Sequence, residues 1–344
     1  MTDDTHQDSP KDNAEPKAAK SSWVSRISLF LLLAGLIAGG GGVLYFSSIL
    51  HRPAIFTDNA TIIIKPGAGR VVISAVLNKA GISHNRWIMQ LEELRRGNAY
   101  RPKAGEFSLP NGTSLALAMD IIHQGTSIQH EFTIPEGWTS TQVMDALYAD
   151  NRFVGTVTPL PIEGSLFPET YYFTRGASRS DMVTRLQQAQ ELAMAELWAG
   201  RQQDLPLKSL QDAIILASIV EKETGVSGER GKVASVFINR LRLNMRLQSD
   251  PTVLYGLVQA GEEVKELKRS HLKHKSPWNT YKHKGLPPTP ISNPGLASLA
   301  ATLNPQKTNY IYFVADGTGG HKFAITLDEH NKNVRAWRKI RDAK

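Results

Sequence analysis

The run Ala213-Ile214-Ile215-Leu216-Ala217-Ser218-Ile219-Val220 passes straight into Glu221-Lys222-Glu223-Thr224. A stretch that is apolar on every side predicts a helix buried all round. A carboxylate one turn beyond it sits at the lip of the core. Partial desolvation there raises its pKa, as a general acid for glycoside chemistry requires. Periodicity does not choose between the two glutamates. Glu221 stacks beneath Ala217 and Ile214, and Glu223 beneath Ile219 and Leu216. They lie about 200° apart at 3.6 residues per turn, so one site does not use both. An ordinary charged helix end gives the same pattern.

Downstream, Val233, Val236, Phe237 and Leu241 mark an amphipathic helix, followed by Leu247-Gln248-Ser249-Asp250-Pro251. Proline disfavours helix at the residue before it, which places Gln248 and Asp250 on a loop suited to recognition. An Asp-Pro turn is the plainer reading. His321 and His330 are nine residues apart with no third ligand in sight, so a structural or peptide-contacting role is expected and no metal or other cofactor is. Tyr310, Tyr312 and Phe313 alternate with Ile311 as in a strand packed on a core.

Several elements must position these groups. Residues 1–26 read as a polar, disordered tail. From Ile27 to Leu50 there are 24 residues without a charge. About 20 apolar residues span a bilayer, whereas the apolar core of a cleavable signal runs to about 15. A membrane anchor over 27–48 is therefore expected. Lys17, Lys20 and Arg26 precede it and Arg52 follows, which favours a cytoplasmic N-terminus. Residues 58–128 read strand–helix–helix–strand with a further helix from Ser114, a small α+β module. Residues 129–344 read as one larger mixed domain, so the fold class is α+β overall. The chain of 344 residues carries a formal charge of +8 and no cysteine. That excludes disulfides and thiolate chemistry and suits an anionic partner. The basic residues are scattered without a nucleic-acid signature, and nucleic acid is not expected.

A resemblance spans nearly everything except the polar tail. It is carried by Thr133-Ile134-Pro135-Glu136-Gly137-Trp138, Glu163-Gly164-Ser165-Leu166-Phe167-Pro168-Glu169-Thr170-Tyr171, Ile219-Val220-Glu221-Lys222-Glu223-Thr224, Val236-Phe237-Ile238-Asn239-Arg240-Leu241, Leu247-Gln248-Ser249-Asp250-Pro251-Thr252-Val253, Asn279-Thr280-Tyr281, Gly285-Leu286-Pro287-Pro288 and Tyr312-Phe313-Val314. In this order the motifs resemble the YceG-like (MltG) endolytic murein transglycosylases. The module before residue 128 resembles the family's LysM-like domain. Glu169 stands where relatives often have Asp, which keeps a carboxylate.

The resemblance implies a YceG-like catalytic domain that cuts peptidoglycan glycan strands between N-acetylmuramic acid and N-acetylglucosamine, leaving a 1,6-anhydro end. It implies Glu221, the first glutamate of its motif, as acid and then base. It implies Gln248, Asp250, Asn279 and Tyr281 as groups that bind sugar or orient the acid, each equally suited to holding its own loop. Glu163, Glu169 and Asp250 could supply the second carboxylate of a hydrolase. Penicillin-binding-protein synthases are implied partners, with strand termination as the role. An inner-membrane site with the catalytic domain periplasmic follows from the same likeness. A non-catalytic wall-binding scaffold and a glycan hydrolase are the alternatives.

Overall fold

The computed structural model describes residues 21–83 and 85–342. The expected tail up to residue 20 lies outside them. The chain divides into two compact units, with the break after Thr126.

The first unit opens with helix α1 (Ser21–Leu50). Residues 21–26, expected in the tail, are helical instead, because no proline or glycine interrupts the chain before the apolar run. The stretch Trp23–Leu50 is long and apolar enough to cross a membrane, and its central window is exposed. Strand β1 (Ala60–Ile64) pairs antiparallel with β2 (Gly105–Leu109), Ala60 opposite Leu109 and Ile64 opposite Gly105. Strand alternation turns Ile62 and Ile64 inward, with Phe107 and Leu109 beside them. Between the strands run α2 (Arg70–Lys79) and α3 (Arg86–Arg96), and α4 (Leu115–Gln124) follows them. Ser114 caps α4 by accepting from the Leu117 N–H. Ile73, Leu77, Met89, Leu115, Met119 and Ile122 complete a core that also takes in Leu50, with Phe46 packed against it, from the end of α1.

The second unit has two cores. In one, β3 (Gln129–Thr133) pairs antiparallel with β4 (Thr170–Thr174). This ribbon carries α5 (Ser140–Ala149) and the start of α6 (Arg179–Ala199) on Phe132, Val143, Leu147, Phe153, Phe173 and Leu186. A capping box between Thr139 and Gln142 starts α5. The other core surrounds α7 (Leu210–Glu223), which packs on α8 (Arg230–Arg242), α9 (Asp250–Gln259) and α10 (Leu296–Leu303). Ala213 and every residue from Ile215 to Val220 are buried, as the unbroken apolar run predicts. A hairpin of β5 (Tyr312–Ala315) and β6 (His321–Ala324) closes the unit together with α11 (Leu327–Asp342).

Two local expectations differ from the structure. Asp250 is the first residue of α9 instead of a loop residue. Pro251 falls in the first helical turn, where its missing N–H would have had no partner anyway. The strand at the last motif begins at Tyr312, with Tyr310 and Ile311 leading into it.

Candidate active site

Helix α7 delivers its two terminal glutamates to different surroundings. Glu221 is 6% exposed, and both its oxygens are taken by the protein itself. Oε2 accepts from the Gly295 N–H at 2.9 Å, and Oε1 faces Arg230 Nη2 at 3.5 Å. Arg230 also reaches Glu136 Oε2 at 3.6 Å and donates from Nε to Ser298 Oγ at 3.2 Å. The Glu136 carboxyl occupies the space that a side chain at Gly295 would need. Burial first, then the charge of Glu221, holds the Glu136 pKa above the usual carboxylate range, with Arg230 opposing. Glu169 is exposed, its Oε1 accepts from the Thr170 N–H at 3.0 Å, and its charge adds to the shift of Glu136.

Glu223 meets the opposite side. Burial is the main cause that pushes its carboxyl up to about 7, and the charge of Asp250 pushes the same way. The Ser249 hydroxyl and the Arg240 guanidinium pull it back only in part. Arg240, on α8, is itself buried and pinned by carbonyls: Nε donates to Ile311 O at 2.7 Å and Nη1 to Leu247 O at 2.6 Å. Burial lowers its pKa. The Tyr281 hydroxyl donates to Asp250 Oδ1 at 2.6 Å. Burial, Asp250 and Glu223 together raise the Tyr281 pKa. The glutamate whose carboxyl burial raises is Glu223, on the face of the helix that turns toward α8 and the start of α9.

The loop residues around Glu223 are tightly tied. The Gln248 N–H donates to Thr280 O at 3.2 Å, and its backbone is left-handed at φ 49°, with the side chain exposed. The Ser249 N–H donates to Thr280 Oγ1 at 2.9 Å, and Thr252 and Thr280 share a hydroxyl bond at 2.9 Å. Asn279 is fully buried: Nδ2 serves Leu272 O and His274 O, and Oδ1 accepts from the Tyr281 N–H. Its side chain is spent on holding the loop, the plainer of its two expected roles.

Glu163 lies elsewhere. Its Oε1 accepts from the Ser140 N–H at the start of α5 at 2.8 Å, and Oε2 from the Tyr255 hydroxyl on α9 at 3.3 Å. Burial raises its pKa against these donors. It clamps α5 to α9, and among the described residues no hydrogen bond links it to Glu223. His321 Nδ1 meets Glu229 Oε2 at 2.7 Å. His330 stacks on Tyr312 at 5.0 Å, with its pKa lowered first by burial and then by Arg240.

The site therefore joins Glu223, Asp250, Tyr281, Ser249 and Arg240, with Gln248 on the adjoining loop. Reading the sequence missed Arg240, although a lone arginine between Asn239 and Leu241 on the buried side of an amphipathic helix is a detectable signal. It also gave no role to Glu136 or Arg230.

Three comparisons bear on this geometry. The model of the YceG-like family matches residues 62–336. The endolytic murein transglycosylase of Bacillus subtilis is 31% identical over 327 residues, covering 85% of this chain and 89% of that one. The endolytic murein transglycosylase of Streptococcus pneumoniae (strain D39) is 27% identical, with 90% of this chain matched to 64% of its length. Among solved structures, a YceG-like protein of Listeria monocytogenes superposes with a TM-score of 0.52 at 30% identity, over 80% of this chain and 99% of that one. Sequence and fold agree, and the chain belongs to the YceG-like family.

Proposed function

We propose that the protein is a membrane-anchored lytic transglycosylase of peptidoglycan, with Glu223 as its acid and base in place of Glu221. The observation that carries this reading is a carboxyl at the end of α7 raised by burial and by the charge of Asp250, whose own carboxylate the Tyr281 hydroxyl holds at 2.6 Å. A group that holds its proton near neutrality is suited to giving it up to a leaving oxygen. The named activity of the relatives supports the reaction class.

In the reaction, Glu223 gives its proton to the glycosidic oxygen as the bond from the muramic C1 breaks. The sugar gains oxocarbenium character. The carboxylate then takes the proton of the C6 hydroxyl as that oxygen bonds to C1, closing a 1,6-anhydro ring. Glu223 ends protonated, and no water is consumed. Asp250, oriented by Tyr281, is assigned to favour the developing cation through its negative charge. Gln248, exposed on its strained loop, is assigned to sugar amides or hydroxyls.

Glu221 has a different part in this reading. With both oxygens engaged by Gly295 and Arg230, it locks the end of α7 against the segment that leads into α10.

The remaining assignments are proposals of the same standing. The first unit, with its β1–β2 ribbon and intervening helices, is assigned as a LysM-like glycan-binding module. The apolar α1 is assigned as a single inner-membrane span with its N-terminus cytoplasmic, supported by Lys17, Lys20 and Arg26 before it. Cleavage of nascent strands beside penicillin-binding-protein synthases would end their elongation.

The deciding experiment is the mass of products released from purified glycan strands. Anhydro ends are expected from the wild type and from Glu221→Gln, and none from Glu223→Gln. Ends heavier by one water would mean hydrolysis. Undiminished cleavage by Glu223→Gln would overturn the assignment.

A further inference from the structure

Helix α3 is laid out against the usual rule for a helix in water. Its inner side holds Met89, Glu92 and Glu93, while Trp87, Leu91 and Leu94 are 63%, 51% and 78% exposed. At 3.6 residues per turn the three apolar side chains fall within roughly 60° of arc, so they form one stripe. The carboxylates inside are costly to bury. Glu92, wholly buried, is held by Arg95 at 2.6 Å and Arg96 at 2.7 Å. Glu93 faces Arg70 at 3.2 Å. Water gives such an inverted helix no reason to present a tryptophan and two leucines, and a contiguous exposed apolar stripe marks a surface that something covers.

The fold says what lies nearby. Helix α1 packs on α3, and its end contributes Leu50 and Phe46 to the core of this unit. His51, the residue after α1, lines one cavity of about 470 Å³ together with Arg95, Arg96 and Tyr100. The end of α3 is therefore level with the end of the apolar helix. Cations border the stripe. Arg86 lies 4.9 Å over the Trp87 ring, and the side chains of Arg70 and Arg95 are 79% and 65% exposed. Tryptophan and arginine flanking leucines are what the interface between headgroups and acyl chains selects, and cations there gain from anionic lipid.

We propose that α3 is an interfacial helix, with Trp87, Leu91 and Leu94 bedded in the surface of the membrane that α1 crosses and Arg70, Arg86 and Arg95 on anionic headgroups.

The chain has no cysteine, so a single introduced one can be labelled uniquely. Leu91→Cys, Leu94→Cys and the control Ser108→Cys, on the outer face of β2, each carry a nitroxide in the full-length protein. The protein is reconstituted into vesicles of phosphatidylcholine and phosphatidylglycerol. At positions 91 and 94 relaxation by oxygen should exceed relaxation by a water-soluble nickel chelate, with the order reversed at 108. A second measurement needs no label: quenching by lipids brominated near the headgroup should fall in Trp87→Phe by the share of that indole. Nickel access at 91 and 94 equal to that at 108, with no change in quenching, would overturn the proposal. So would spin–spin broadening at 91 that disappears on dilution with unlabelled protein, because the stripe would then pair with a second copy.

Discussion

The Tyr281 hydroxyl donates to Asp250 over 2.6 Å, joining the loop after Asn279 to the first turn of α9. The bond bridges two segments already stitched together by Thr280, Ser249 and Thr252. It fixes a negative group beside Glu223, where its charge helps to keep that carboxyl protonated. Tyr281→Phe removes the bond while leaving the ring. A hydrogen bond to a charged group is worth about 1.5–3 kcal/mol, so kcat/KM should fall by roughly ten- to a hundredfold, with melting temperature changed far less.

The pH profile follows from the same carboxyl. As the proposed acid, Glu223 would act only while protonated, and its pKa is raised to about 7. Cleavage in single turnover should therefore be level below that pH and decline above it. Asp250→Asn removes a charge that pushes the pKa up, so the decline should move to lower pH. A profile unmoved by that substitution would separate Asp250 from the acid.

Stability should answer to pH as well. The unfolded chain returns Glu223 to an ordinary carboxyl near 4.5, so between 4.5 and 7 the folded state binds the extra proton. Glu223 therefore costs stability as pH rises through that window, and the full cost is present above 7. Glu223→Gln removes it. Its melting temperature should exceed that of the wild type at pH 8, by an amount worth on the order of 1–3 kcal/mol, and the gap should close by pH 4.

Glu221→Ala has the opposite signature. It strands the Gly295 N–H and leaves Arg230 with Glu136 and Ser298. A loss of about 1–3 kcal/mol in denaturant unfolding is expected, with anhydro-ended products still released at low temperature. Loss of product without loss of stability would return the acid to Glu221.

Glu163→Ala tests a clamp. Removing the acceptor leaves the Ser140 N–H unpaired and takes one bond from the Tyr255 hydroxyl. The unfolding midpoint should drop by an amount worth about 1–3 kcal/mol, while the pH at which cleavage declines stays in place.

Some of this was legible in the residues. The unbroken apolar run before Glu221 required a helix buried all round, and α7 is one. The helix read from Ser114 onward begins at Leu115, with Ser114 as its cap. The choice between Glu221 and Glu223 was not legible, because it depends on which segments approach each face of α7. Gly295 and Arg230 reach one face, and Ser249 and Arg240 belong to the other. Those partners lie nine to 74 positions away in the sequence, beyond any local pattern. For Asn279 the motif left two roles open, sugar contact or loop support, and its side chain bonds two carbonyls and an amide of its own loop, partners no local pattern shows.

Leu50 is 3% exposed although it ends a helix that is exposed from residue 23 to residue 45. The apolar helix and the small module thus share their stability, and removing the whole of α1 to obtain soluble material would not be neutral. A fragment beginning at Pro53 gives up a buried leucine, a loss of about 2–3 kcal/mol, and uncovers the apolar hollow that it filled. One beginning at Tyr45 keeps the plug and should melt several degrees higher, so detergent-free preparations are best cut inside the span.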